Sequence, residues 1–361
     1  MPARARPEVP TLPATASPSI GLVAIGRNEG ARLEACLTAA VAMLPPDRVV
    51  YVDSGSTDGS VAFAAGLGVR VVDLDVSGGF TAARARNAGA DVLLAAADPP
   101  DLVQFVDGDC VLAPGWLGMG AAALARDRGL AVVAGRVREV APDATIWNRL
   151  IDMEWDAPAG PADAVGGIAL YRADAFRAVG GFDPGLICGE EPELCFRLRA
   201  AGWRVERLAA EMCGHDAAMT RLGQWLTRTR RTGWAFAEGA DRMGASPERY
   251  NLRERNRILV WGGLVPALVL VLAAAALLLA FLGSARWWVP GGASLLGVLL
   301  YPAMALRVAR GRMRDRGDPF GRAMVWALLV MGGKPWEMAG LLAYRRARRA
   351  GRRGALIEYR A

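Results

Sequence analysis

Short apolar runs alternate with helix-spaced stripes through the first half of the chain. Residues 19–25 (SIGLVAI) read as a strand, broken by Gly26-Arg27-Asn28-Glu29-Gly30. Leu33, Cys36, Leu37, Ala40 and Val41 then fall on one helical stripe, which Pro45-Pro46 closes. Residues 48–52 form a second strand that ends at Asp53. The loop over 53–58 (DSGSTD) leads into a helix over 59–67, with a hydroxyl or carboxylate as N-cap. Residues 69–72 are a third strand, Thr81 is placed to cap a helix over 82–97, and residues 102–106 are a fourth strand. Pro114 opens another helix at its first turn. Strand followed by helix, repeated with short connections, predicts an α/β fold: a Rossmann-like, mostly parallel sheet sandwiched by helices.

Such sheets bind ligands at the carboxyl ends of their strands. Three of those ends carry polar clusters: Asn28-Glu29, the 53–58 loop, and Asp107-Gly108-Asp109. In the last, the apolar run LVQFV stops at two carboxylates separated by a glycine. Carboxylates are the usual oxygen ligands of magnesium and manganese, ions that also keep bonds to substrate phosphates. Asp and Gly are common turn residues as well, but turn chemistry alone does not put three polar clusters on one edge. No GxGxxG follows the first strand, which disfavours a dinucleotide-binding oxidoreductase.

After Gly135 the pattern loosens. Residues 164–171 (AVGGIALY) read as a strand with a Gly-Gly bend, 173–179 as a short helix and Gly180-Gly181-Phe182-Asp183 as a turn. The stretch 189–199 (GEEPELCFRLR) is a well-marked helix. Acids and Pro192 fill its first turn, and Arg197 and Arg199 lie near its end. Residues 203–208 are a last strand, followed by His215, the only histidine.

Beyond Arg257 the composition changes. Residues 258–282 form an uncharged apolar run long enough to span a bilayer of about 30 Å. Residues 287–306 form a second, with Trp287 and Trp288 as interfacial anchors. Arg253, Arg255 and Arg257 precede the first span; Arg307, Arg310, Arg312, Arg314 and Arg316 follow the second; Arg286 lies between. The positive-inside rule puts both flanks, and the domain before them, in the cytoplasm of a multi-pass protein, expected in a bacterial inner membrane. A third apolar segment, 323–344, is broken by Gly332-Gly333-Lys334-Pro335 and Glu337. It is expected to be an in-plane or re-entrant helix pair, leaving a basic cytoplasmic tail. The resulting organisation is a disordered Pro/Ala-rich leader over 1–18, an α/β domain over 19–218, amphipathic interfacial helices over 219–257, and a membrane region over 258–361. The net charge of +7 and the 53% hydrophobic content are concentrated late in the chain, which points to membrane lipids and not to nucleic acid. Five cysteines, odd in number and without a CxxC pair, argue for reduced buried thiols.

Six segments carry a resemblance: AIGRNEG, VVYVDSGSTDGS, ARARNAG, QFVDGDC, GGIALYRADAFRAVGGFD and GEEPELCFRLRAAGW. In wording and order the chain resembles the family 2 glycosyltransferases of the GT-A fold, which are inverting and use nucleotide sugars. The resemblance implies that Asn28, Glu29 and Asp53 hold the nucleotide, with Arg84, Arg86 and Asp107 near it. It implies that Asp107 and Asp109 bind magnesium or manganese, with His215 as a further ligand, and that Glu191 or Glu190 is the general base, Glu191 being favoured. The implied donor is a UDP- or GDP-type sugar, and the implied acceptor is lipid-linked or a saccharide. A polyprenyl-phosphate glycosyltransferase shares the fold, but its phosphate acceptor has less need of a base, so the Glu190-Glu191 pair counts against it. A non-catalytic membrane scaffold with a transferase-like domain is the alternative from another class; intact Asp107, Asp109 and Glu191 stand against it.

Overall fold

Strands whose side chains are apolar on both faces are satisfied only in the middle of a sheet; the first, second and fourth runs lie there, and the third, Arg70–Asp73, forms the more exposed edge. The computed structural model describes residues 18–77 and 79–352. The expected leader, apart from Pro18, and the end of the basic tail fall outside them. The chain divides into two compact units, Met1–Thr220 and Arg221–Ala361. The first runs β1 (Ile20–Gly26), α1 (Ala31–Met43), β2 (Val49–Asp53), α2 (Ser60–Gly66), β3 (Arg70–Asp73), α3 (Ala82–Leu94), β4 (Leu102–Asp107), β5 (Cys110–Leu112), α4 (Trp116–Arg126), β6 (Leu130–Glu139), α5 (Ile146–Trp155), β7 (Gly160–Pro161), β8 (Ala169–Arg172), α6 (Ala173–Ala178), α7 (Glu190–Ala200) and β9 (Arg204–His215).

Among the described residues one sheet has the order β3-β2-β1-β4-β8-β6-β9-β5, with β7 paired to β9. β3, β2, β1 and β4 are mutually parallel, which brings Gly26, Asp53, Asp73 and Asp107 to one edge. Beyond β4 the sheet turns mixed: β8 is antiparallel to both β4 and β6, and β5 is antiparallel to β9. An aromatic cluster fills the core beneath β4, where Phe105, Tyr171, Phe176 and Phe182 meet at centroid distances of 5.2–6.2 Å. All five cysteines are free and buried, as their count implied.

Three boundaries differ from the sequence expectation. The helix expected over 82–97 stops at Leu94. The strand expected over 164–171 is only Ala169–Arg172, because Gly166 and Gly167 are drawn into a loop that closes over Trp155 and Arg86. The last strand is not 203–208 but Arg204–His215, so His215 ends it instead of following it. Its polar residues hid its length. Backbone pairing to β6 on one side and to β5 and β7 on the other sustains a stretch that its side-chain pattern does not mark.

The second unit comprises α8 (Leu222–Met243), α9 (Leu252–Ile258), a π-helical turn over Leu259–Leu264, α10 (Val265–Phe281), α11 (Trp288–Arg316), α12 (Phe320–Gly332) and α13 (Lys334–Arg349). Two continuous helices, Leu252–Phe281 and Trp288–Arg316, are long and apolar enough to cross a membrane. They pack on each other through small residues: Ser294 Oγ donates to Val269 O at 3.0 Å, and Gly297 meets Val269. The third apolar segment is two helices broken at Gly333. Part of the apolar stripe of α8 meets α13, where Trp234 and Tyr344 stack edge-on at 5.4 Å. A Cβ on Gly233 or Gly340 would collide with the backbone of the facing helix.

Gly89 explains how α3 comes to lie flat on the sheet. A Cβ there would overlap Val23 and sit 2.9 Å from Val52 Cγ2. Gly89→Ala is therefore expected to destabilise the chain by about 1–3 kcal/mol through overpacking, read as a lowered midpoint in thermal unfolding of the full chain.

Candidate active site

The loops after β1 and β2 are laced together at the sheet edge. Asn28 adopts φ 53°; its backbone N–H donates to Ser56 Oγ at 2.9 Å and its Oδ1 accepts from Thr57 N at 2.7 Å. Gly30 N donates to Asp58 Oδ2 at 3.1 Å. Asp53 is buried, and its carboxylate shapes its own loop. It accepts from Tyr51 Oη at 2.7 Å, Gly55 N at 2.9 Å and Ser56 N at 2.7 Å. Glu29 pairs with Arg32 at 2.9 Å and packs its stem against Gly108, where a Cβ would fall 3.2 Å from Glu29 Cγ. The three polar clusters therefore share one surface, as the strand order requires.

Arg86 stands at the centre of the edge. It is 2% exposed, and its guanidinium reaches Asp107 Oδ1 at 2.8 Å, Glu190 Oε1 at 2.8 Å and Glu191 Oε1 at 3.4 Å. Burial works against its charge, but Asp107, Glu191 and Glu190 outweigh it and hold the guanidinium firmly protonated. Phe182 lies under it at 5.5 Å. Gly167 is the backbone that closes over it, and a Cβ there would strike both the guanidinium and Glu191 Oε1. The turn that carries Phe182 is fixed by its neighbours. Asn87 clamps Phe182 by donating to its carbonyl at 2.8 Å and accepting from its N–H at 3.0 Å, and Arg197 of α7 donates to Gly181 O at 2.7 Å.

The two glutamates at the start of α7 differ. Glu190 is 7% exposed and Glu191 20%. Burial pushes the Glu191 carboxyl up to about 7, with the negative charge of Glu190 adding to it and Arg86 opposing. Arg84, two residues from Arg86, is elsewhere: its guanidinium donates to Asp75 O at 2.8 Å and to Gly79 O. Of the expected arginine pair, only Arg86 joins the acids.

Asp109 belongs to a second group. Its Oδ2 lies 3.4 Å from His215 Nε2, while His215 Nδ1 lies 2.8 Å from Glu139 Oε2. Burial disfavours the charged imidazole, but the hydrogen bonds to Asp109 and Glu139 prevail and push its pKa up to about 10. Ligand atoms of Asp109, Cys110 and His215 lie within 4.8 Å of one another. Burial raises the Cys110 thiol well above its ordinary value and keeps it neutral, so the donors on offer are a carboxylate oxygen and an imidazole nitrogen. That set suits a hard or borderline divalent cation such as manganese.

Residues 23–180 match the profile of Glycosyl transferase family 2, and residues 103–309, more than half of the chain, match that of Glycosyl transferase family group 2. The chain belongs to glycosyl transferase family 2. Its relatives include the pre-mycofactocin glycosyltransferases of two Mycobacterium tuberculosis strains, each 31% identical over 195 residues, which cover 50% of this chain and 40% of theirs. The chain thus spans less than half the length of these curated relatives. Its fold is similar to that of a mannosyltransferase from Pyrobaculum calidifontis solved with GDP-Man and Mn2+, at a TM-score of 0.55 and 20% identity, covering 89% of this chain and 88% of that one. The fold is therefore GT-A.

Sequence reasoning passed over Glu139 and Gly167. Glu139 had a usable signal, since LAVVAGRVRE ends in an acid much as LVQFVD does. Gly167 had none beyond a Gly-Gly pair. The fold depends on Arg86 for its charge balance at this edge. Arg86→Met leaves three carboxylates facing one another, two of them largely shut from water, a loss expected to cost about 3–5 kcal/mol. The sign follows from the shift: Arg86 holds the Glu191 pKa down, so without it the Glu191 carboxyl binds its proton more tightly in the fold. The deficit in thermal unfolding should be largest above pH 8 and shrink toward pH 5.5.

Proposed function

We propose that the chain is a membrane-anchored, inverting glycosyltransferase. It would move a sugar from a UDP- or GDP-type donor to a hydroxyl of a lipid-linked or saccharide acceptor at the cytoplasmic membrane face. The observation that carries this is the Arg86 cluster, in which one buried cation joins the strand-end carboxylate Asp107 to the acids that open α7. Glu191 is the general base. It is the more exposed glutamate, it is held more loosely by Arg86, and its pKa near 7 suits proton removal at neutral pH. Glu190, closed in against Arg86, anchors that cation.

The step then runs as an in-line displacement. Glu191 takes the proton of the acceptor hydroxyl, whose oxygen attacks the anomeric carbon opposite the diphosphate. The bond to the diphosphate breaks, its electron pair leaves with the nucleotide, and the anomeric configuration inverts. Asn28 and Glu29 meet the nucleotide at the end of β1, and Asp53, at the end of β2, shapes the loop that receives it. Arg84 stays at the rim. Asp109 and His215, with Asp107 beside them, would hold magnesium or manganese, which would offset the charge developing on the departing diphosphate. A base with a pKa near 7 favours a hydroxyl over a phosphate acceptor, whose oxygens need no deprotonation.

The anchor is the helical hairpin of Leu252–Phe281 and Trp288–Arg316. Leu277, Phe281, Leu282 and Trp288 are 73%, 88%, 67% and 64% exposed, an apolar surface suited to lipid and not to water. Arginines crowd both ends of the hairpin away from its tip, which orients those ends to the cytoplasm. α12, with 13 residues, is too short to span, which supports an in-plane or re-entrant pair with α13.

Three measurements test this. Glu191→Gln should lower kcat by about 10²–10⁴-fold while leaving nucleotide-sugar binding intact; full transfer activity in that variant would sink the assignment. In the unaltered enzyme kcat/KM should rise with pH through about 7, standing near a tenth of its plateau at pH 6, and Glu191→Gln should lack that limb. A cysteine at Arg286→Cys should react with an impermeant maleimide applied to intact cells, and one at Arg253→Cys should not; the reverse pattern would invert the topology.

A further inference from the structure

Glu139 is a buried acid that the transfer step above does not use. It ends β6, and the strand register brings it beside His215, which ends β9; on the other side of β9, His215 is paired with Cys110 of β5. The histidine ring is therefore confined between two strand ends. Glu139 presents a side chain 0% exposed. Its Oε2 lies 2.8 Å from His215 Nδ1, and its Oε1 accepts from Ala217 N at 3.1 Å. Trp155 covers the ring at 5.6 Å. The far nitrogen, Nε2, is turned to Asp109 Oδ2 at 3.4 Å.

An ionised carboxylate only accepts hydrogen bonds, so the nitrogen facing Glu139 carries a hydrogen. When a cation replaces the Nε2 proton, a ring held through Nδ1–H offers that nitrogen's lone pair to it, and such an outer carboxylate fixes both the tautomer and the orientation of a metal-binding histidine. We propose that Glu139 is a positioning residue for the divalent cation: it holds Nδ1–H of His215 so that Nε2 is presented beside Asp109. This rests on His215 being a metal ligand. Glutamine is a poorer substitute. Ala217 N–H donates to Oε1 at 3.1 Å and to Oε2 at 3.3 Å, and Nδ1–H faces Oε2 at 2.8 Å, so an amide whose oxygen faces Nδ1 sets its NH2 against the closer approach of Ala217 N–H. If the NH2 faces Nδ1, that nitrogen turns acceptor and the hydrogen moves to Nε2, toward Asp109.

His215 is the only histidine in the chain, so ¹⁵N-histidine labelling of the full chain in detergent yields a single Nδ1/Nε2 pair to follow. With cadmium and a nucleoside diphosphate, UDP and GDP each in turn, Nε2 should move to a metal-bound shift while Nδ1 keeps its hydrogen. Manganese affinity, measured by electron paramagnetic resonance with the same nucleotides, should weaken about 10- to 100-fold in Glu139→Gln. Glu139→Asp, which keeps the carboxylate, should lose less. In a His215→Ala background Glu139→Gln should add no further loss. If Nε2 does not respond to cadmium, His215 is not a ligand and the basis of the proposal falls. If Nε2 responds but Glu139→Gln binds manganese as the unaltered chain does, or weakens it equally without His215, the positioning role is overturned and the ligand role stands.

Discussion

A guanidinium shut away from water is tolerable only if carboxylates surround it, and Arg86 imposes that condition on its whole neighbourhood. Ionic groups taken out of water lose several kcal/mol of hydration each, so the three acids must stay within reach. α3 is therefore seated hard on the sheet, which Gly89 permits. The turn bearing Phe182 must lie under the cation, which Asn87 and Arg197 enforce from two helices. Gly167 must bring backbone where no side chain fits. Four of the recognisable sequence segments thus meet at one charge. Their wording follows from a packing problem as much as from chemistry.

The parallel half of the fold was legible because burial on both faces writes continuous apolar runs, and strand order then gathers Asn28, Asp53 and Asp107 at one edge. The mixed half was not, because β9 is held by backbone pairing on two sides and tolerates Glu206, Arg207 and Glu211 along its length. Glu139 is a different case: it ends β6, whose apolar start and terminal acid did carry a signal. The arginines show the opposite case. Arg84 and Arg86 stand two positions apart on a helix and so cannot face the same way. Arg86 shares the buried stripe of Gly89, Ala90 and Leu93, whereas Arg84 does not. Helical periodicity already separates them.

In the second unit, hydrophobicity located the two long helices because a run without charges needs no tertiary context to be recognised. Amphipathicity was less decisive. The stripe of α8 with Trp225 and Trp234 suits a membrane surface, yet Gly233 and Trp234 are used against Gly340 and Tyr344 of α13. An apolar stripe states that something must cover it, and a helix satisfies that demand as well as a lipid does.

Asp107 and Asp109 began as one motif and end as members of two groups. β4 stops at Asp107 and β5 begins at Cys110, so the chain turns through Gly108, whose N–H is bonded to Ile25 O at 2.8 Å. The turn sends the first carboxylate to Arg86 and, through it, to the glutamates of α7. It sends the second to His215 and, through that ring, to Glu139. The proposed base cluster and the proposed cation cluster are thus joined by a single tripeptide. A glycine between them keeps the turn tight, since a Cβ there would come within 3.2 Å of Glu29, Leu33 and the carbonyl of Ile25.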